Sequence, residues 1–77
     1  YYSIERKMHM SQFSNKLLRH LQSEYLTSGK THFSFPDMLE CLPDPKQLEL
    51  AIETLQRTGS LRKTEYVNDF ELLELPN

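Results

Sequence analysis

The chain has 77 residues, 38% of them hydrophobic and 26% charged, with nine Lys and Arg against eleven Asp and Glu for a formal charge of −2. Such a length supports one small core and no second one. The slightly acidic balance argues against a strongly basic nucleic-acid module or a membrane-surface helix, and no apolar run approaches the roughly 18–20 residues that span a bilayer.

The start, Tyr1-Tyr2-Ser3-Ile4-Glu5-Arg6-Lys7, lacks the apolar stretch of a secretory signal. Residues 1–9 carry no clear amphipathic period and read as a lead-in to a domain over 10–77. The absence of an initiator Met suggests a piece of a larger protein. From Met10 onward Phe13, Leu17, Leu21 and Tyr25 recur at steps of three and four, with Leu18 widening the stripe. That spacing predicts a first helix over about Met10 to Thr27. Ser11 or Ser14 is the candidate cap at its start. Gly29 is the expected stop, because glycine accepts the left-handed conformation that closes a helix.

Thr31-His32-Phe33-Ser34-Phe35 alternates, which places Phe33 and Phe35 on one face of a short strand. Pro36 suits the first turn of a second helix, whose apolar side is Met38, Leu39 and Leu42, and Pro43 closes it. Asp44-Pro45-Lys46-Gln47 is the strongest local signal. Asp44 can accept the free N–H groups of a third helix, Pro45 fits its first position, and Gln47 stands three residues after the cap, as in a capping box. Leu48, Ala51, Ile52 and Leu55 follow as an i, i+3, i+4, i+7 stripe, and Gly59 ends the helix.

Leu61 to Val67 and Phe70 to Leu75 read as two strands joined at Asn68-Asp69, residues that tolerate the positive φ of a two-residue turn. That turn would set Val67 opposite Phe70, Glu65 opposite Leu72 and Lys63 opposite Glu74. Glu71, Leu73 and Leu75 would then point the other way, so the last strand is apolar on both faces and alternation alone does not choose the inner one. The expected core is Phe13, Leu17, Leu21, Phe33, Met38, Leu39, Leu48, Ile52, Leu55 and Leu61.

This order of helix, strand, helix, helix, strand, strand resembles a winged helix, the helix-turn-helix variant whose last two strands form a wing. The resemblance rests on Phe33-Ser34-Phe35-Pro36 entering the second helix, Pro43-Asp44-Pro45 between the second and third, and Thr58-Gly59-Ser60-Leu61 leading into the hairpin. It implies an α+β fold, a three-helix bundle with a small three-stranded antiparallel sheet. It also implies an intracellular setting, the nucleus ahead of the cytoplasm, in the company of replication, transcription, helicase or membrane-sorting proteins. Winged helices include nucleic-acid readers and protein-contact modules, so the fold leaves function open.

A helix that enters a DNA groove needs cations around it. From Pro36 to Arg57 the acids are Asp37, Glu40, Asp44, Glu49 and Glu53, against Lys46 and Arg57. Glu49 and Glu53 sit one turn apart and would repel phosphates. Glu53 and Arg57 also have the spacing of an ordinary solvated i, i+4 pair. Leu50 lies off the apolar stripe and marks either a partner surface rimmed by charge or a side chain that packs on the second helix or the N-terminal segment. Tyr66, near the wing tip, is either an anchor or a cross-strand aromatic.

These residues predict a non-catalytic module that contacts another protein, or another domain of its own chain, through Glu49, Leu50, Glu53, Tyr66 and Leu73. The alternative is a weak nucleic-acid contact through Lys46, Arg57, Arg62 and Lys63, with Lys16 and Arg19 as further phosphate candidates. No cofactor, metal or membrane partner is expected. His9, His20, His32 and Cys41 have no metal-ligand spacing. Both glycines are explained as helix stops, so none remains for a phosphate-binding loop, and no Ser, His and Asp form a catalytic set. His20 and His32 are expected on wet faces. Cys41 has no internal disulfide partner, which suits a reducing compartment, and is expected at the core boundary.

Overall fold

A computed structural model describes the backbone of residues 2–76 and the side chains of residues 12–76. Six elements follow one another: α1 (Tyr2–Ser28), β1 (His32–Ser34), α2 (Phe35–Leu39), α3 (Pro45–Thr58), β2 (Leu61–Lys63) and β3 (Asp69–Leu72). The strands make one antiparallel sheet in the order β1-β3-β2. Three helices and this sheet, in this order, have the topology of a winged helix. α1 packs chiefly on α3, α3 on β2, and α2 on β1 and α3.

The helical backbone begins at Tyr2, ahead of the periodic stripe, and continues to Ser28. Ser14 therefore does not cap α1. It lies inside the helix and is buried. The Met10 and Ser11 side chains lie outside the described residues. At the far end Gly29 stands at φ 73° and its N–H donates to the Tyr25 carbonyl at 2.7 Å. Gly59 closes α3 in the same way at φ 83°. A Cβ at either glycine would meet no atom within 4 Å, so the backbone angle and not crowding favours glycine there.

The first strand is shorter than the alternation implies. Ser34, the last residue of β1, also caps α2: its Oγ accepts from the Asp37 N–H at 3.3 Å, and Asp37 Oδ2 accepts from the Ser34 N–H at 3.1 Å. This reciprocal box draws Phe35 into the helix, where it packs on the core edge, and leaves Phe33 as the buried strand residue. At α3 Asp44 is the cap and Pro45 opens the helix, as expected. Asp44 Oδ1 accepts from the Lys46 N–H at 2.9 Å. The box predicted there with Gln47 is found at α2 instead.

The α3 stripe is buried throughout, at Leu48, Ala51, Ile52 and Leu55. It joins Leu17, Leu21, Phe33, Met38, Leu42, Leu61, Phe70 and Leu72 in one core. Phe13 and Leu39, expected inside, are only partly covered. Phe70 and Leu72 settle the inner face of β3, while Leu73 and Leu75 stay exposed.

The hairpin departs most from expectation. Its ladder pairs Leu61 with Leu72, Arg62 with Glu71 and Lys63 with Phe70, so Phe70 meets Lys63 where Val67 was expected. The strands are shorter, and the connection is the five-residue loop 64–68 instead of a two-residue turn at Asn68-Asp69. Asn68 does take the positive φ, at 57°. Thr64 causes the change. Its hydroxyl donates to Asp69 Oδ2 at 2.7 Å and accepts from the Tyr66 N–H at 3.2 Å, while its own N–H donates to the Asp69 carbonyl at 3.0 Å. The slip is an even number of residues, so no side chain changes face and the core survives it.

Candidate functional site

Because Leu48, Ala51, Ile52 and Leu55 turn inward, the helical period turns Leu50 outward, with Lys46, Glu53 and Arg57 within one or two turns of it. Leu50 is 51% exposed, and Glu49 and Glu53 beside it are exposed too. It is not part of the core cluster. Arg57 Nη2 lies 3.0 Å from Glu53 Oε1, so the i, i+4 pair forms. The outer face of α3 therefore carries Lys46 and Arg57 against Glu49 and Glu53, a balanced set. The surplus acids of the helix-turn-helix segment lie elsewhere. Asp44 caps α3, and Asp37 accepts from Ser34 and pairs with Lys30 at 3.1 Å. The backbone hydrogen bond from Ser34, helped by Lys30, holds the Asp37 carboxyl below the usual carboxylate range.

On the sheet, the face away from the helices is a row of charges. Arg62 Nε donates to Glu71 Oε1 at 2.6 Å across the ladder. His32, exposed as expected, lies with Nδ1 3.0 Å from Asp69 Oδ2 and Nε2 3.9 Å from Glu71 Oε2. The Thr64 hydroxyl, followed by His32, holds the Asp69 carboxyl low. Beyond this row the loop presents Tyr66, 66% exposed, and Val67, 94% exposed. Tyr66 is thus a loop residue and not a cross-strand aromatic. Leu73 follows β3 and is half-exposed, its N–H donating to the Ser60 carbonyl at 2.9 Å.

The residues predicted to meet a partner therefore lie at three places: Glu49, Leu50 and Glu53 on α3, Tyr66 on the loop, and Leu73 after β3. No hydrogen bond or ion pair among the described residues joins one place to another. Val67 is an exposed apolar residue that reading the segment as a strand concealed. Of the cations that would serve a polyanion, Arg57 and Arg62 are paired with carboxylates, whereas Lys46 and Lys63 are exposed and carry no ion pair among the described residues.

Cys41 sits at the core boundary, as expected. Its Sγ contacts the Lys16 carbonyl at 3.7 Å, and burial pushes its thiol up, away from the thiolate that a nucleophile requires. Among the described residues, no group of three His, Cys, Asp or Glu side chains is arranged to hold a metal ion, and no helix is long and apolar enough to cross a membrane. Comparison of the chain with protein-family models, with curated proteins and with solved structures returns no match.

Proposed function

We propose that this winged helix is a non-catalytic interaction module of a larger intracellular protein, which binds another protein or another domain of its own chain through α3 and the wing loop. The observation that carries the reading is Leu50, a large apolar side chain half-exposed at the outer face of α3 where a nucleic-acid reader would place polar groups. Charged side chains of both signs surround it, the arrangement of an apolar anchor with a polar rim. Tyr66 and Leu73 supply apolar area on the wing side.

The same face suits a polyanion poorly. Glu49 and Glu53 stand beside the position a phosphate backbone would approach, and two of the six candidate cations, Arg57 and Arg62, are paired with carboxylates in the fold. Affinity capture with the intact chain should recover one protein partner, and Leu50→Asp should abolish the capture while leaving the circular dichroism and melting temperature of the domain unchanged. Micromolar, steeply salt-dependent binding to a labelled duplex or single strand, lost in an Arg62→Ala/Lys63→Ala double variant, would instead establish a nucleic-acid contact and overturn the reading.

A further inference from the structure

Two cavities of about 260 Å³ open on the described surface, and they differ in what they already hold. The first lies between the end of α1, β1 and α2, among Glu24, Asp37 and Glu40, and a cation of the chain's own lines it. Lys30 Nζ stands 3.1 Å from Asp37 Oδ2 and 5.2 Å from the centre of the Phe33 ring. The second is a groove between α1 and α3 that the segment after β3 also lines. Leu18 and Leu55 line it together with Thr54, Thr58, Ser60 and Glu74, and Asn15 adds an amide on the α1 side.

Glu74 is held at three points in that groove. Its N–H donates to the Ser60 carbonyl at 3.2 Å, its carbonyl accepts from Gln22 Nε2 at 2.8 Å, and its Oε1 accepts from Ser60 Oγ at 2.7 Å. Ser60 is itself buried. Yet no Lys, Arg or His among the described residues pairs with the Glu74 carboxylate, in contrast to the first cavity.

The hydroxyl protons nearby are engaged inside the fold. Thr54 Oγ1 donates to the Leu50 carbonyl at 2.9 Å, Thr58 Oγ1 to the Leu55 carbonyl at 3.2 Å, and Ser60 Oγ to Glu74, while the Thr58 and Ser60 hydroxyl oxygens also lie 3.2 Å from each other. What these oxygens retain is accepting capacity. A positioned carboxylate and a set of hydroxyl acceptors beside Leu18 and Leu55 complement one chemistry above others: a planar cation with several N–H donors on an aliphatic stem. We infer that the α1–α3 groove is a binding site for an arginine side chain presented by a partner polypeptide. The stem lies along Leu18 and Leu55, and the guanidinium donates to Glu74 and the threonine oxygens. The inference does not depend on Leu50 being a contact.

The probe is N-acetyl-arginine methylamide, titrated into the intact chain and followed through the backbone amides by NMR. Saturable shifts are expected at Asn15, Thr54, Thr58, Ser60 and Glu74, with a dissociation constant on the order of 1–10 mM for a single charge-assisted contact at the solvent edge. Glu74→Gln keeps an acceptor for Ser60 but removes the charge, and should weaken binding at least about tenfold with the rest of the spectrum unchanged. The neutral citrulline analogue should give no saturation, and the lysine analogue should bind several-fold more weakly. Leu50→Asp should leave the arginine titration unchanged, so failure of this site and failure of the proposed protein contact are seen separately. Equal binding of the citrulline or lysine analogue, native-like binding by Glu74→Gln, or the absence of saturable shifts would overturn the assignment.

Discussion

The third helix and the hairpin that follows it are built by different means. α3 has 14 residues, and its apolar stripe repeats often enough that one face is specified several times over. A local disturbance leaves that face buried, and the caps at Asp44 and Gly59 only mark the ends. β2 and β3 have three and four residues, barely two periods of alternation each. In so short a ladder the register passes to the loop, where Thr64 and Asp69 choose it through side-chain hydrogen bonds. A helix of this kind is held by periodic burial, whereas this hairpin depends on a few polar contacts that have no period.

The largest test of that contrast is Leu55→Ala. It should cost about 2–5 kcal/mol, a large share of the roughly 4–12 kcal/mol expected for a chain of this length, and urea titration should find the unfolding midpoint moved far towards zero denaturant. Loss of under about 1 kcal/mol would mean that α3 is not the centre of the core.

Thr64→Val keeps the shape and removes the hydroxyl. A cost of about 1–3 kcal/mol is expected, since the Asp69 carboxylate and the Tyr66 N–H both lose a partner. Hydrogen exchange should quicken at Tyr66 more than at the α3 amides. Uniform quickening along the chain would show that the loop has no stability of its own to lose.

Asp44→Ala removes the α3 cap at a cost of about 1 kcal/mol, readable as a shifted denaturation midpoint.

Acid should act on the sheet and on α2 before it acts on α3. Asp37 and Asp69 are both held below their ordinary range by hydrogen bonds made in the folded state. The unfolded chain therefore binds protons first as pH falls. Their contribution is complete above the unfolded value near pH 4, declines below it, and is gone once the pH has passed the lower native values. Asp37→Asn and Asp69→Asn should each flatten the loss of stability below about pH 4. An unchanged acid limb would assign it to other carboxylates.

The smallest effect belongs to the exposed Glu53–Arg57 pair. Arg57→Ala should change stability by no more than about 0.5 kcal/mol and should lose even that at high salt.

The candidate surfaces were legible unevenly, for the same reason as the fold. Leu50 could be found in the sequence because the stripe that places four neighbours inside necessarily places it outside. The charge balance of α3 was obscured by counting the segment as a whole, since Asp37, Glu40 and Asp44 add acidity that does not lie on the outer face of that helix. Val67 reads as a strand residue because Asn68-Asp69 directly after it reads as a two-residue turn. A Thr and an Asp bracketing the loop were the available signal against that assignment. Glu74 gave no signal, because its position depends on Ser60 and Gln22, 14 and 52 residues away in the chain.

Taken alone, the order of residues determined the number and order of the elements, the inward face of each long helix, the cap at Asp44, and the stops at Gly29 and Gly59. These follow from repeats of about 3.6 residues and from backbone preferences that act over a few positions. Only the tertiary structure decided the hairpin register, which face of β3 is covered, which cations are neutralised, and what lines the groove between α1 and α3. Each of those outcomes depends on atoms that folding brings together from distant parts of the chain, where no local period or propensity reaches.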